Sequence, residues 1–363
     1  MKFSAGSMLM VVAAATAGST TAYSFIQPMR TVPSTIRNAG SSTLKMISTG
    51  DDRSERQSLD ISKTTYAALV KAPKDAYIAF AEKGKSNANM HWAKIFHQSI
   101  LGGAYVGFGG LLALSVAGNM SGVVFSNPGI VKFTFAALFP VNLLLIVMTG
   151  GQLFTGNSAT CTAAKWEGML GYGGLAKNLS VSLLGNIVGC ALFAMTANYV
   201  GLLSGGTANL IKSTAIAKCA GGFMPTMVKG ILCNWMVSLA VFMAGASNDL
   251  CGKLVGCWFP ISTFVGIGLE HSIANLFILP CALLLGGTGL GLGDIVFKNL
   301  VPVVLGNFIA GAFVVAASYS YQFGQLGKKS RERYRTYLKQ RQAEKALDKI
   351  GIGGSNQPVA SLD

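Results

Sequence analysis

Charge is what this sequence has least of. Only 12% of its 363 residues are Asp, Glu, Lys or Arg, about half the roughly 25% typical of a soluble domain. Between Ile95 and Gln322 there are eight lysines, four acids and no arginine. With 51% apolar residues and a mean hydropathy of +0.49, the chain is not an ordinary soluble protein. Much of the formal +15 sits in the two ends. The basic residues form no patch with interleaved aromatics on a soluble domain, so nucleic-acid binding is not expected. Histidine is scarce, at three residues, and no Gly-x-Ser-x-Gly or His-Glu-x-x-His stretch occurs. The seven cysteines are scattered without Cys-x-x-Cys spacing. They read as small buried hydrophobes, and neither a metal site nor a cofactor is expected.

Residues 1–50 lack acids altogether. Lys2, an apolar core from Met8 to Ala17 and the small-residue pattern Ala22-Tyr-Ser24 have the layout of a signal peptide over residues 1–24. Residues 25–46, basic and rich in Ser and Thr, have transit-peptide composition. The two in tandem, with Phe25 first after the expected cut, resemble the bipartite plastid presequences of algae with secondary plastids. Residues 47–94 read as a linker followed by amphipathic pieces lying on the membrane surface, broken at Pro73. Residues 323–363 read as a basic tail, a surface helix or disordered.

Between them, residues 95–322 carry six apolar runs: Phe96–Ala117, Val131–Thr149, Leu179–Leu202, Phe223–Ala244, Trp258–Leu285 and Leu300–Tyr319. An even number of spans puts both basic ends on one side of the membrane. Two runs are interrupted by polar residues, at Thr149-Gly-Gly-Gln-Leu-Phe-Thr-Gly-Asn157 and at Gly268-Leu-Glu-His-Ser-Ile-Ala-Asn275. An acid and an imidazole in an apolar run are costly unless they face a cavity or another helix. The third and sixth runs share a motif, Leu184-Gly-Asn-Ile-Val-Gly189 and Leu305-Gly-Asn-Phe-Ile-Ala-Gly311. Three spans plus three, each half with a broken member, make an inverted repeat with its site near the membrane midplane. The expectation is an all-α membrane protein of six transmembrane helices, two of them broken.

Four blocks then carry a family resemblance: Gly150-Gly-Gln-Leu-Phe-Thr-Gly-Asn157, Lys229-Gly-Ile-Leu-Cys-Asn-Trp-Met-Val237, Gly268-Leu-Glu-His-Ser-Ile-Ala-Asn275 and Asn299-Leu-Val-Pro-Val-Val-Leu-Gly-Asn307. In order and spacing they resemble the formate/nitrite transporter family from about Asp75 to Phe323. The resemblance implies an aquaporin-like fold, a homopentamer embedded in membrane lipid with a pore in each subunit, and passage of small monovalent anions, often with a proton. It places His271 at the pore histidine, Thr155 at the threonine facing it, Asn234 near that histidine, and Lys218 in a vestibule near Glu270. Asn275 closes the histidine block. It also implies an outer apolar constriction of Phe139, Leu143 and Phe264, and an inner one of Leu153, Phe154 and Val237. Gln152 departs from the acid or small residue often found before Leu-Phe-Thr.

Three functional classes follow. The leading one is a plastid nitrite transporter, with nitrite chosen only on the presequence; a formate or other short-monocarboxylate transporter is the alternative. The anion is expected to take a proton, or a strong hydrogen bond, at His271 and Thr155, and then to pass the apolar rings as a near-neutral species. An intramembrane enzyme using Glu270 and His271 has no supporting motif. A structural scaffold predicts no flux.

Overall fold

The computed structural model describes residues 69–349, so the leader readings lie outside the described residues. The first helix, α1 (Pro73–Asn89), opens on Pro73, whose missing N–H costs nothing in a first turn. Of the two pieces expected around Pro73, most of the first lies outside the described residues, and the second is this helix. Its face of Tyr77, Phe80, Ala81, Gly84 and Ala88 is buried, packed on a half-helix described below. The proline that suggested a break is a helix start.

Among the described residues six helices are long and apolar enough to cross a membrane. They are α2 (Trp92–Gly118), the pair α3 (Pro128–Leu138) and α4 (Val141–Thr149) bent at Pro140, α6 (Tyr172–Tyr199), α8 (Phe223–Ala246), α9 (Leu250–Ile267) and α11 (Leu292–Phe323). Two shorter helices complete the broken spans: α5 (Phe154–Trp166) continues from α4, and α10 (Ser272–Leu285) from α9. An amphipathic helix, α7 (Gly205–Cys219), joins the halves, and α12 (Gln325–Lys349) follows the last span.

The third, fifth and sixth spans start earlier than hydropathy suggests, and the cause is the same each time. A lysine that ends an apolar window is satisfied locally in the fold. Lys177 Nζ donates to the Met90 carbonyl at 3.0 Å. Lys253 Nζ donates to the carbonyls of Ala244 and Ser247 at the end of α8, where the helix dipole favours a cation. Lys298 pairs with Asp294 at 2.7 Å, one helical turn away.

The two halves repeat each other in structure. Each broken span ends its first part on a left-handed glycine, Gly150 (φ 81°) and Gly268 (φ 90°), a conformation that side-chain-bearing residues resist. In each half the span that follows the half-helix packs on the span that opens the half: α6 on α2 and α11 on α8. Glycines permit that approach. A Cβ on Gly185 would sit 2.7 Å from the Phe96 carbonyl oxygen, and one on Gly306 would strike that of Met227. α1 lies against α5 as α7 lies against α10. The last span is not a plain α-helix: Ile295–Leu300 and Ala310–Ala317 are π-helical, a form that gathers at functional sites.

Both ends of the described chain meet at Glu167, which follows α5. Its carboxylate accepts from Tyr77 Oη of α1 at 2.8 Å, from Ser320 Oγ of α11 at 2.6 Å and from the Gln325 N–H that opens α12. α1 and the end of the last span therefore lie on one side, as the even span count requires. Six of the seven cysteines are buried, while Cys251 is exposed, so the buried-hydrophobe reading fails for that one.

Candidate functional site

The two broken spans bring helix N-termini together. Leu153 precedes α5 and His271 precedes α10, both in extended backbone. The first N–H of each half-helix is held by the same kind of partner. Asn186 Oδ1 accepts from Phe154 N at 2.9 Å, and Asn307 Oδ1 accepts from Ser272 N at 2.9 Å. These asparagines belong to the repeated Leu-Gly-Asn motif, and both are fully buried. Their amide groups complete the joint. Asn186 Nδ2 donates to the carbonyls of Ser99 and Gln152, and Asn307 Nδ2 to those of Gly230 and Glu270. The motif thus fixes two helix dipoles whose positive ends face the centre.

His271 sits where they meet, 4% exposed. Its Nδ1 accepts the Ala274 N–H at 3.0 Å, and its Nε2 lies 3.2 Å from Thr155 Oγ1. With the Nδ1 lone pair committed to a backbone donor, the neutral ring carries its proton on Nε2. His271 and Thr155 are therefore paired as expected, with the imidazole N–H as donor. The adjacent carboxylate does not reach the ring. Glu270 Oε2 instead accepts from Lys218 Nζ at 3.0 Å, Asn275 Nδ2 at 2.7 Å and Asn299 Nδ2 at 3.2 Å. Sequence neighbours here serve separate networks.

Asn234 is one step removed from the histidine. Its Nδ2 donates to Ser158 Oγ at 3.0 Å and to the carbonyls of Thr155 at 3.3 Å and Asn307 at 2.5 Å. It braces the Thr155 turn, and no hydrogen bond joins it to His271 among the described residues.

A cavity of about 490 Å³ reaches His271 from the Lys218 end. Phe139, Phe264 and His271 all line it. The Phe139 and Phe264 rings meet edge to face at 6.2 Å, and Phe264 stacks on the imidazole at 5.6 Å. Leu143 is buried in the same apolar core but is not on the cavity wall. Leu153, Phe154 and Val237 are also in that core and off this cavity. Lys132 and Lys229 share the wall with Lys218 and Glu270; the sequence reading gave neither a role.

Gln152 takes the place in the first half that Glu270 takes in the second. Its Oε1 accepts from Asn157 Nδ2 at 2.8 Å and Asn178 Nδ2 at 3.1 Å, and its Nε2 donates to Gln98 Oε1 at 2.8 Å. Asn178, which matches a glycosylation sequon, is fully buried in this cluster. Aligning the repeats past the Gly-Asn motif would have found Asn157 and Asn178 from sequence, since they align with Asn275 and Asn299 in the second half.

Comparison with known proteins gives the family and the fold. The formate/nitrite transporter family model matches residues 74–321. A protein of Methanothermobacter thermautotrophicus described as a probable formate transporter is 36% identical over 269 residues, covering 70% of this chain and 97% of that one. A solved channel of the same family aligns with a TM-score of 0.63 at 27% identity, over 68% of this chain and 98% of its own. A second, described as a pentameric formate channel with formate bound, aligns at 0.56 and 24% identity, over 64% and 98%. These are transport proteins, which sets aside the enzyme reading of Glu270 and His271. The chain is a multi-pass membrane protein and belongs to the formate/nitrite transporter family.

Proposed function

We propose that the chain carries small monovalent anions past His271 and Thr155, with nitrite as its physiological anion. The observation that carries this reading is the buried His271 Nε2–Thr155 Oγ1 pair at 3.2 Å. Phe139 and Phe264 line the cavity that reaches it, and on this reading Leu153, Phe154 and Val237 form the apolar constriction beyond it. A bare anion faces a steep desolvation cost in such surroundings. The imidazole N–H, the Thr155 hydroxyl and the two half-helix N-termini all offer positive character at one point. In the proton-coupled form of the proposal, the anion, held by hydrogen bonds from Nε2–H and the Thr155 hydroxyl, takes up a proton that enters with it from the more acidic side. The imidazole stays neutral and the acid crosses the apolar rings nearly neutral.

The choice of nitrite rests on the plastid-type leader, since photosynthetic cells reduce nitrite inside plastids. Formate is the second reading, favoured by what the archaeal relative is described as carrying. Assembly as a homopentamer follows the description of the 24%-identical neighbour. The test is uptake of labelled nitrite into proteoliposomes, with and without an inward proton gradient and with formate as competitor. Nitrite uptake that formate barely inhibits supports the nitrite reading, and equal competition replaces it with a general monocarboxylate pore. No flux of either overturns transport.

A further inference from the structure

The internal repeat makes each half a control for the other, and the two ends of the pathway differ. The register is set by contacts already described: Asn186 with Asn307, Gly185 over Phe96 with Gly306 over Met227, and Gly150 with Gly268. Continued without gaps along each element, it pairs Gln152 with Glu270, Asn157 with Asn275 and Asn178 with Asn299. It also pairs Gln98 with Lys229 and, carried back across the loops before α2 and α8, Asn87 with Lys218, where the buried faces of α1 (Ala76, Phe80, Gly84, Ala88) and α7 (Thr207, Ile211, Ala215, Cys219) fall in the same register. The bonds follow the pairing, because Asn157 and Asn178 donate to Gln152 as Asn275 and Asn299 donate to Glu270. Asn87 joins its cluster through Asn157 at 3.0 Å, and Lys218 joins its own through Glu270. Three positions that are amides in the first half are two lysines and a glutamate in the second. Inversion puts the two clusters at opposite ends.

The charged end also holds the cavity. Lys132, Lys218, Lys229 and Glu270 line it, and no other acid does. Glu270 is taken by Lys218, while Lys132 and Lys229 are exposed and make no ion pair among the described residues. The lining therefore carries an excess of two positive charges. A volume of about 490 Å³ far exceeds a three-atom anion, given that one water takes roughly 30 Å³. Val131, Phe135, Leu210 and Ile278 make much of the remaining wall apolar.

We propose that this cavity binds a compact organic dianion of the dicarboxylate class. One carboxylate sits beside Lys218 and Glu270, the other between Lys229 and Lys132, and the carbon spacer lies on the apolar wall. A dianion costs far more to desolvate than a monovalent anion, so it stops at the Phe139–Phe264 floor and blocks the pathway from this end alone. Only the blocking half rests on the transport reading; binding stands without it.

The test begins with equilibrium dialysis of the purified full-length chain against radiolabelled malonate, with acetate and sulfate as competitors. Malonate is expected to bind once per chain and at least about tenfold tighter than acetate. The double substitution K132Q/K229Q should weaken it about tenfold or more, the weight of a charge-assisted contact, and K177Q near the amide cluster should leave it unchanged. Malonate no tighter than acetate, or indifferent to K132Q/K229Q, overturns the site. Sulfate binding tighter than malonate overturns the dicarboxylate assignment. In a second arm, malonate should inhibit formate and nitrite uptake by proteoliposomes. Uptake that malonate does not touch overturns the block, whereas absence of any uptake sinks the transport reading and leaves dialysis to decide the site.

Discussion

At the scale of single residues, one imidazole and two asparagines do separate work. His271 offers its Nε2–H because a backbone donor holds Nδ1. His271→Phe keeps a ring stacked near Phe264 but removes the donor, and pH-dependent nitrite uptake should be abolished or sharply altered. An unchanged rate and pH profile would end the proton role. Asn186 and Asn307 are structural. Asn307→Ala or Asn186→Ala orphans a buried helix N–H and two carbonyls, so each should cost about 1–3 kcal/mol or more per unsatisfied group. Thermal unfolding in detergent measures this, and an unchanged Tm for both would refute the bracing role. The pairing of His271 with Thr155 was legible in the sequence because the family motif names both. The separation of Glu270 from His271 was not. Adjacent residues at a helix start diverge in direction, and only the positions of Lys218, Asn275 and Asn299 decide where the carboxylate goes.

At the scale of elements, the broken spans depend on backbone conformation more than on packing. Gly268 has φ 90° and open space where a Cβ would stand. Gly268→Ala should therefore lose about 1–2 kcal/mol through backbone strain alone, with a correspondingly lower Tm. Gly306→Ala differs, because its Cβ would strike the Met227 carbonyl and force α11 away from α8. The start of α9 carries a pH signature outside the apolar spans. Asp249 accepts the Gly252 N–H at 2.8 Å as the helix N-cap. That bond and the Ser247 hydroxyl hold its carboxyl below the usual carboxylate range. A depressed folded-state value means the contribution is present above the unfolded value, near 3.9, and is lost as pH falls through the folded one. Asp249→Asn should remove that contribution, lowering the Tm near neutrality and flattening the profile below about pH 4, as melting curves across that range would report. Hydropathy found these elements but misplaced three starts, at Lys177, Lys253 and Lys298. A window average counts a lysine as an exposed charge, and cannot know that a carbonyl or an acid is waiting for it.

At the scale of the whole molecule, the inverted repeat governs both architecture and electrostatics. Glu167 ties α1, α11 and α12 together on the side of the termini, away from the Lys218 cavity. Native mass spectrometry of the detergent-solubilised chain should give five copies of the polypeptide, whose unprocessed mass is 37.8 kDa. A monomer or dimer would reject the pentameric proposal.

The sequence alone determined the class of this protein. Scarcity of charge, six apolar runs, two polar interruptions and a twice-used Gly-Asn motif fix an inverted six-span membrane fold, because an apolar medium leaves the backbone few ways to satisfy its polar groups. The family's four blocks supplied the residues at its centre. What only the tertiary structure decided is who meets whom: Glu270 with Asn275 and Asn299, Asn234 with the Thr155 turn, amides at one end and charges at the other. These contacts join residues from separate helices. Their pairing depends on the rotation and depth at which the helices pack, which hydropathy and local propensity do not encode.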